Sequence, residues 1–242
     1  TSPAPSAPDS NGVAYVAFED RYRGSTEEIR RRLVDYLPLF EGKGNVLDVG
    51  CGRGELLQLF RESGISARGI DINEEMIAQC RSRGLTADKA DALTFLATLP
   101  EQSLGGLIAI QVIEHLEPAY LIRFMEAAYR AMKPGAPLVL ETINAACWSA
   151  FFDSYIRDFT HARPLHPETM RYLAQASGFQ SVEIQFRSPF AEQDRLPGVP
   201  LPAVRDGGNA GLADVAEALN AHAERLNSRL FTHRDYAIVA KK

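Results

Sequence analysis

The chain has 242 residues, 45% of them hydrophobic, and a formal net charge of −5. That length and composition suit one large globular α/β domain, and the net acidity argues against a face that binds nucleic acid. No apolar run reaches the ~20 residues of a membrane span, and Cys51, Cys80 and Cys147, odd in number and without C-x-x-C spacing, form no disulfide framework and fit a reducing, cytoplasmic setting.

Residues 1–17 are poor in large apolar side chains and lack the basic start and apolar core of a signal peptide. They are expected to be disordered or a linker, so the chain can be a piece of a longer protein. Residues 18–242 are expected to form a single domain. A helix is predicted over Thr26–Leu39 from the spacing of Ile29, Leu33, Tyr36 and Leu37, with Ser25 as N-cap and Glu28 closing a capping box. Arg30, Arg31 and Arg32 fall on its solvated face. Strands follow at Val46–Val49, Ala67–Ile72, Gly106–Val112, Pro137–Thr142, Ser181–Phe186 and Tyr236–Ala240. Helices are predicted at Glu55–Ser63, Glu74–Arg83, Pro118–Met132, Pro167–Ser177 and Leu212–Arg229. This alternation implies βαβ units around a mostly parallel sheet. The Pro/Gly-rich stretch Phe190–Gly211 reads as a long surface loop, because too little chain follows it to build a second core.

The strongest local signal is Val46-Leu47-Asp48-Val49-Gly50-Cys51-Gly52-Arg53-Gly54, a buried strand entering a glycine turn and then a helix. Glycines let the backbone come close to a ligand, and a helix N-terminus offers free N–H groups. Asp71 ends the next strand, where a carboxylate can accept both hydroxyls of an adenosine ribose. A dinucleotide site would use the same logic, but its fingerprint is G-x-G-x-x-G, whereas the spacing here is G-x-G-x-G. Asp48, two positions before the first glycine, would repel a pyrophosphate and attract an ammonium. The pattern therefore points to an amino-acid-bearing nucleoside.

The run Asp48–Gly54 resembles motif I of class I S-adenosylmethionine-dependent methyltransferases. The resemblance continues through Gly69-Ile70-Asp71-Ile72-Asn73, Ala90-Asp91-Ala92, Gln111-Val112-Ile113-Glu114-His115-Leu116 and Lys133-Pro134-Gly135. It implies a Rossmann-like α/β sandwich with a seven-stranded, mostly parallel sheet in the order 3-2-1-4-5-7-6, its last strand antiparallel. It implies S-adenosyl-L-methionine as cofactor, held by Asp48, Gly50, Cys51, Gly52 and Gly54, with Asp71 on the ribose beside Ile72. It also implies Asp91 on the adenine amino group beside Ala92 and Leu93, Gln111 closing the pocket, and Arg23 on the methionine carboxylate. Asp91 as a plain helix N-cap, and Arg23 as a surface residue, stay open as alternatives.

Three further segments resemble bacterial methyltransferases linked to O-antigen and other surface-polysaccharide synthesis: Phe18–Ser25, Asp158-Phe159-Thr160-His161 with Arg163-Pro164-Leu165, and Asp235-Tyr236-Ala237. They imply O-methylation of a sugar or polysaccharide, with residues 143–166 and 189–211 as acceptor-side loops and glycosyltransferases as partners. The absence of an N/D-P-P-Y/F motif at Gln111 argues against methylation of nucleic-acid bases. A hydroxylated metabolite or quinone precursor, or a non-catalytic cofactor-binding module of an assembly complex, are the alternatives.

A hydroxyl acceptor needs a base, and His161 is the candidate, oriented by Asp158 three residues earlier in a polar loop. His115 sits at the end of the fourth strand, where catalysis and a structural role are both open. His166 fits a helix cap, and His222 and His233 fit solvated positions. Trp148, Phe151, Phe152, Tyr155 and Phe159 offer a face for a sugar ring, with Phe151 and Phe152 expected to pack on the core. Glu141, Asp158 and His161 lack metal-ligand spacing, so no metal is expected.

Overall fold

Val46-Leu47-Asp48-Val49 is apolar but for one carboxylate, and all four residues are buried as the central strand β1. The structure, a computed structural model, describes residues 26–201 and 210–242. Arg23, Ser25, the rest of the segment Phe18–Ser25, the expected disorder of residues 1–17 and residues 202–209 of the Pro/Gly-rich stretch lie outside the described residues. Six more strands complete the sheet: β2 (Ala67–Asp71), β3 (Ala87–Lys89), β4 (Gly106–Ile110), β5 (Pro137–Ile143), β6 (Gln180–Pro189) and β7 (His233–Lys241). Their order is β3-β2-β1-β4-β5-β7-β6. β1, β2 and β3 pair in parallel, and β7 runs antiparallel to β6. This is the Rossmann-like, mostly parallel topology that the motif resemblance implied.

The chain gathers into two compact units, one of residues up to 108 with 130–137, the other of residues 109–129 with 138–242. In the first, helix α1 (Thr26–Leu33) is shorter than the predicted span, and a 3₁₀ helix covers Val34–Phe40. Pro38 inside that segment has no N–H to give to the carbonyl four residues back, so α-helical bonding cannot continue. Helix α2 (Glu55–Glu62) buries Leu56, Leu57, Leu59 and Phe60, and Phe60 meets Phe40 edge-on at 5.3 Å. Helix α3 (Glu74–Ser82) starts at Asn73, whose side chain accepts the N–H groups of Glu75 and Met76. Cys51, Leu57, Ile77, Cys80, Leu85 and Ala87 form one apolar cluster behind the glycine turn. Helix α4 (Ala92–Thr98) and the three-residue β3 complete this unit. Both are too short to show a hydrophobic period.

In the second unit, helix α5 (Pro118–Ala131) buries Leu121, Phe124, Met125 and Ala128, a helical-period face. β4 stops at Ile110, two residues short of expectation, because Gln111 takes a φ of +54° and turns the chain out of the sheet. β6 and β7 are longer than predicted, paired from Gln180 opposite Lys241 to Pro189 opposite His233. β6 has no buried face, so it carries no clean alternation of apolar and polar residues. Helix α6 (Trp148–Ala150) is a single turn, and helix α7 (Pro167–Ala176) begins where expected, with His166 as its N-cap and Pro167 in the first turn. Helix α8 covers Ala210–Leu230.

The glycine turn packs against β2 because residue 69 has no side chain. A Cβ on Gly69 would lie 2.5 Å from Cys51 Sγ and 2.7 Å from Leu57 Cδ1. Gly69→Ala is therefore expected to destabilise the protein by about 1–3 kcal/mol through overpacking, read as a lower urea midpoint. An unchanged midpoint would contradict this packing.

Candidate functional site

The glycine turn in the first unit owes its shape to positive φ angles at Gly50 (68°), Gly52 (51°) and Gly54 (81°), which residues with a Cβ adopt only at a cost. Its amides are already committed. Gly50 and Cys51 N–H both donate to the Ile70 carbonyl, at 2.8 and 3.1 Å. Gly52 N–H donates to Asp71 Oδ2 at 3.0 Å. A pyrophosphate cradle needs such amides turned towards the anion, so this turn is not built for one. The outer side of the turn is braced as well. The Cys80 thiol donates to the Gly52 carbonyl at 3.2 Å, Arg83 donates to the Arg53 carbonyl at 2.7 Å, and Arg53 pairs with Glu55 at 2.8 Å.

Asp71 stands at the C-terminal end of β2, and its Oδ1 accepts the Asn73 N–H at 2.8 Å. Each carboxylate oxygen thus has one backbone donor and retains acceptor capacity, which suits a vicinal diol. Asp48 is buried at the end of β1, beneath the turn. Cys51 stays a neutral thiol, held up first by its hydrogen bond with Cys80 and then by burial and by Asp48. It acts as a packing residue. Ile72, beside Asp71, is an exposed apolar side chain. Asp91 caps α4, its Oδ1 accepting both N–H and Oγ1–H of Thr94 at 2.9 Å. Ala92 and Leu93 form the first turn above it and are partly buried.

The second unit gathers a different set of groups. After β4, a 3₁₀ turn (Ile113–His115) places Glu114 inward, 1% exposed, with His115 beside it. The loop after β5 is clasped to this turn, since Ala162 N–H donates to the Glu114 carbonyl at 2.8 Å. That clasp brings His161 against His115, with ring centroids 4.7 Å apart. His161 Nδ1 lies 2.7 Å from the Tyr155 carbonyl, an acceptor only, so Nδ1 carries the proton. That carbonyl is left over at the end of a π-helical turn, Phe151–Tyr155, and the Tyr155 ring stacks on His161 at 4.6 Å. Asp158 Oδ1 accepts Thr160 N–H at 2.8 Å and Thr160 Oγ1–H at 2.6 Å. With its proton given to Asp158, Thr160 Oγ1 accepts from His115 Nδ1 at 3.0 Å. In the neutral form of each imidazole these acceptors place the proton on Nδ1 and leave Nε2 without one.

The structure brings His161, His115 and Asp158 together, but connects them differently from expectation. Asp158 Oδ2 lies 3.7 Å from His161 Nε2, outside hydrogen-bond reach. Tyr155 orients His161, and Asp158 orients His115 through Thr160. Glu114, absent from the sequence-based site, belongs to this cluster. Its carboxylate is pushed up to about 8, first by lost hydration. Its own amide and Thr142 pull weakly the other way, and the charges of Asp235 and Glu141 push further up. Both carboxylate oxygens are buried, and neither meets a donor within hydrogen-bond distance and angle. Among the described residues, Glu114, His115 and His161 are also the group able to hold a metal ion, with one ligand atom from each within 4.8 Å of the others.

Gln111 donates from Nε2 to Asp235 Oδ1 at 3.0 Å, and its amide donates to the Glu141 carbonyl. Trp148, Phe152 and Ile156 recur every four residues and are exposed, as is Phe159 at 83%. Phe152 thus faces solvent instead of packing on the core. It meets Phe151 edge-on, while Phe151 stacks on the buried Tyr155.

Residues 19–184 match the family model described as "Methyltransferase domain". A solved SAM-dependent methyltransferase from Archaeoglobus fulgidus is 38% identical, over 94% of this chain and 99% of that one, with a TM-score of 0.86. A ubiquinone biosynthesis O-methyltransferase of Pseudomonas paraeruginosa is 35% identical over 105 residues, 41% of this chain and 44% of that protein. A Haemonchus contortus phosphoethanolamine N-methyltransferase 2, solved with S-adenosyl-L-methionine, shares the fold at 17% identity and a TM-score of 0.62, over 94% of this chain and 60% of that one. The chain spans about half the length of the curated relatives it matches.

Glu114 also sets a pH dependence of stability. Its folded pKa of about 8 lies above its ordinary 4.5, so the folded state holds an extra proton between those values. Each unit of separation is worth about 1.4 kcal/mol. Stability is therefore full below the ordinary value and is lost as pH rises towards the folded one. With a chelator present, the Tm is expected to fall as pH rises from about 5 to 8, and Glu114→Gln to flatten that fall. Parallel curves for the two proteins would rule out a buried, protonated Glu114.

Proposed function

We infer this protein's reaction from the family it belongs to: the chain is an S-adenosylmethionine-dependent methyltransferase. The residues of the first unit fit its cofactor, S-adenosylmethionine. Asp71 offers its carboxylate to a ribose diol, the glycine turn admits the methionine portion, and buried Asp48 favours an ammonium over a phosphate. The bound cofactor supplies a methyl group on a sulfonium, so the protein's task is to place the acceptor and deal with its proton.

The reading we put forward is O-methylation, and the histidine pair is the observation that carries it. Two imidazoles with unprotonated Nε2 atoms, beside a buried carboxyl group, suit a hydroxyl that must lose a proton as it is methylated. A neutral amine is already a good nucleophile, whereas a hydroxyl gains most of its nucleophilicity on losing its proton. In the transfer the acceptor oxygen forms a bond to the methyl carbon. The C–S bond breaks with its electron pair going to sulfur, and the hydroxyl proton is released at the cluster. Asp158, Thr160 and the Tyr155 carbonyl act as positioning groups, each holding an imidazole.

For the acceptor we favour a sugar hydroxyl. The exposed rings of Trp148, Phe152 and Phe159 lead along the chain directly into Thr160 and His161, and aromatic faces of this kind stack against pyranose rings. The second reading is a hydroxylated quinone precursor, favoured by the 35% identity to a ubiquinone biosynthesis O-methyltransferase.

A panel of free sugars, nucleotide sugars and catechols, assayed for S-adenosylhomocysteine release, separates these readings. Turnover on a sugar but not on catechols is expected, and the reverse would select the quinone-precursor reading. Release with neither class, despite tight cofactor binding, would point to a binding module. Two substitutions test the residue roles. Asp71→Ala is expected to weaken S-adenosylmethionine binding by about 1.5–3 kcal/mol, measured by calorimetry, and an unchanged Kd would remove Asp71 from the ribose. His161→Ala is expected to lower kcat by about 10²–10⁴-fold with cofactor affinity unchanged. Full turnover in that variant would dismiss the histidine pair from the chemistry.

A further inference from the structure

A carboxylate with both oxygens buried and unpartnered is a costly arrangement unless something else occupies its coordination space. Glu114 is such a group, and the atoms that share its space are nitrogens of His115 and His161. Tyr155 and Thr160 accept at the Nδ1 of each histidine, so the neutral form of each presents its Nε2 lone pair. A metal-binding histidine is typically held in this way, its far nitrogen donating to a carbonyl or, through one group, to a carboxylate. Here the Tyr155 carbonyl serves His161, and Asp158 serves His115 through Thr160.

We propose that Glu114, His115 and His161 hold a divalent transition-metal cation, which takes the acceptor's hydroxyl oxygen in an open coordination position. Two imidazoles and one carboxylate favour zinc and its first-row neighbours over magnesium or calcium, which prefer all-oxygen shells. Three protein ligands leave a position for a fourth, the arrangement of hydrolytic and other Lewis-acid zinc sites. The ligand atoms, now up to 4.8 Å apart, would close to the ~3–3.5 Å separation set by metal–ligand bonds near 2.1 Å.

The cation's role, though not its binding, rests on the hydroxyl-acceptor reading above. With the cation bound, the imidazole lone pairs would be its ligands, so a hydroxyl on it would lose its proton to solvent and not to a histidine, and the resulting alkoxide would be the nucleophile for the methyl group.

The test begins with the whole chain stripped by a chelator, dialysed, and titrated calorimetrically with Zn²⁺ and separately with Mg²⁺. One Zn²⁺ per chain is expected, with Mg²⁺ failing to compete. Glu114→Gln and His161→Ala should each weaken Zn²⁺ binding by roughly tenfold or more, a loss seen even for groups outside a coordination sphere. His222→Ala, an exposed histidine on α8, should bind as the parent does. Absence of Zn²⁺ binding, or binding that Glu114→Gln leaves unchanged, would overturn the site. Co²⁺ substitution gives a second readout, since its visible spectrum should show nitrogen and oxygen ligands and lose that signature in Glu114→Asp only if the site is real and strict in geometry. Retention of the signature in both Glu114→Gln and Glu114→Asp would place the ion elsewhere. Full methyl transfer by the stripped protein would refute the cation's role while leaving its binding intact. Loss of transfer to every hydroxyl, with Zn²⁺ bound, would instead refute the acceptor reading.

Discussion

The 3.0 Å hydrogen bond from the Gly52 amide to Asp71 Oδ2 ties the glycine turn to the end of the neighbouring strand. Without it the turn would have a free amide, and the carboxylate would be held at one oxygen alone. Asn73 holds the other oxygen at 2.8 Å and then caps α3 with its own side chain. One carboxylate thereby fixes a turn, a strand end and a helix start. The close packing of Cys51 on Gly69 depends on the same register, since the turn can lie flat on β2 only where β2 lacks a Cβ. The proposed site for a nucleoside rests on this constraint. Amides are withdrawn from anion binding, and carboxylate is offered to hydroxyl and ammonium groups.

The second unit manages charge in the opposite way. Glu114, Glu141 and Asp235 are all buried within one unit, and burial together with the repulsion of its neighbours keeps Glu114 protonated near neutrality. Such a group lowers stability at the pH where the protein would work, and a chain selected for stability alone would replace it with an apolar or amide side chain. It stands beside two imidazoles, each held by a backbone or hydroxyl partner, and the proposed chemistry would offset that cost. The geometry around His161 and His115 is equally specific. Tyr155 at the end of a π-turn, and Thr160 poised between Asp158 and His115, fix two tautomers at once.

Much of this was legible in the sequence. The strand, glycine turn and helix from Val46 to Glu62 combine apolar continuity with spacing that few other structures tolerate, and Asp71 follows at a distance set by one βαβ unit. The loop carrying Asp158 and His161 was recognisable as a polar segment after the fifth strand. Its wiring was not, because the partner of each imidazole depends on a local turn, Phe151–Tyr155, that has no periodic signature. Glu114 escaped notice for a related reason. A glutamate after a strand is ordinarily solvated, and its burial depends on segments distant in sequence, such as the loop whose Ala162 amide meets the Glu114 carbonyl. Pro38 did carry the information that shortens α1, and the apolar period around it concealed that signal. Asp91 illustrates a residue for which the sequence offered two roles, and the cap to Thr94 is the one visible in the fold.

Calorimetric titration of the protein with S-adenosylmethionine and with NAD, each as the sole ligand, tests the central claim most directly. The account predicts saturable one-to-one binding of S-adenosylmethionine and no measurable heat of binding with NAD, because the turn withholds its amides from a pyrophosphate. Tight binding of NAD with none of S-adenosylmethionine would contradict it.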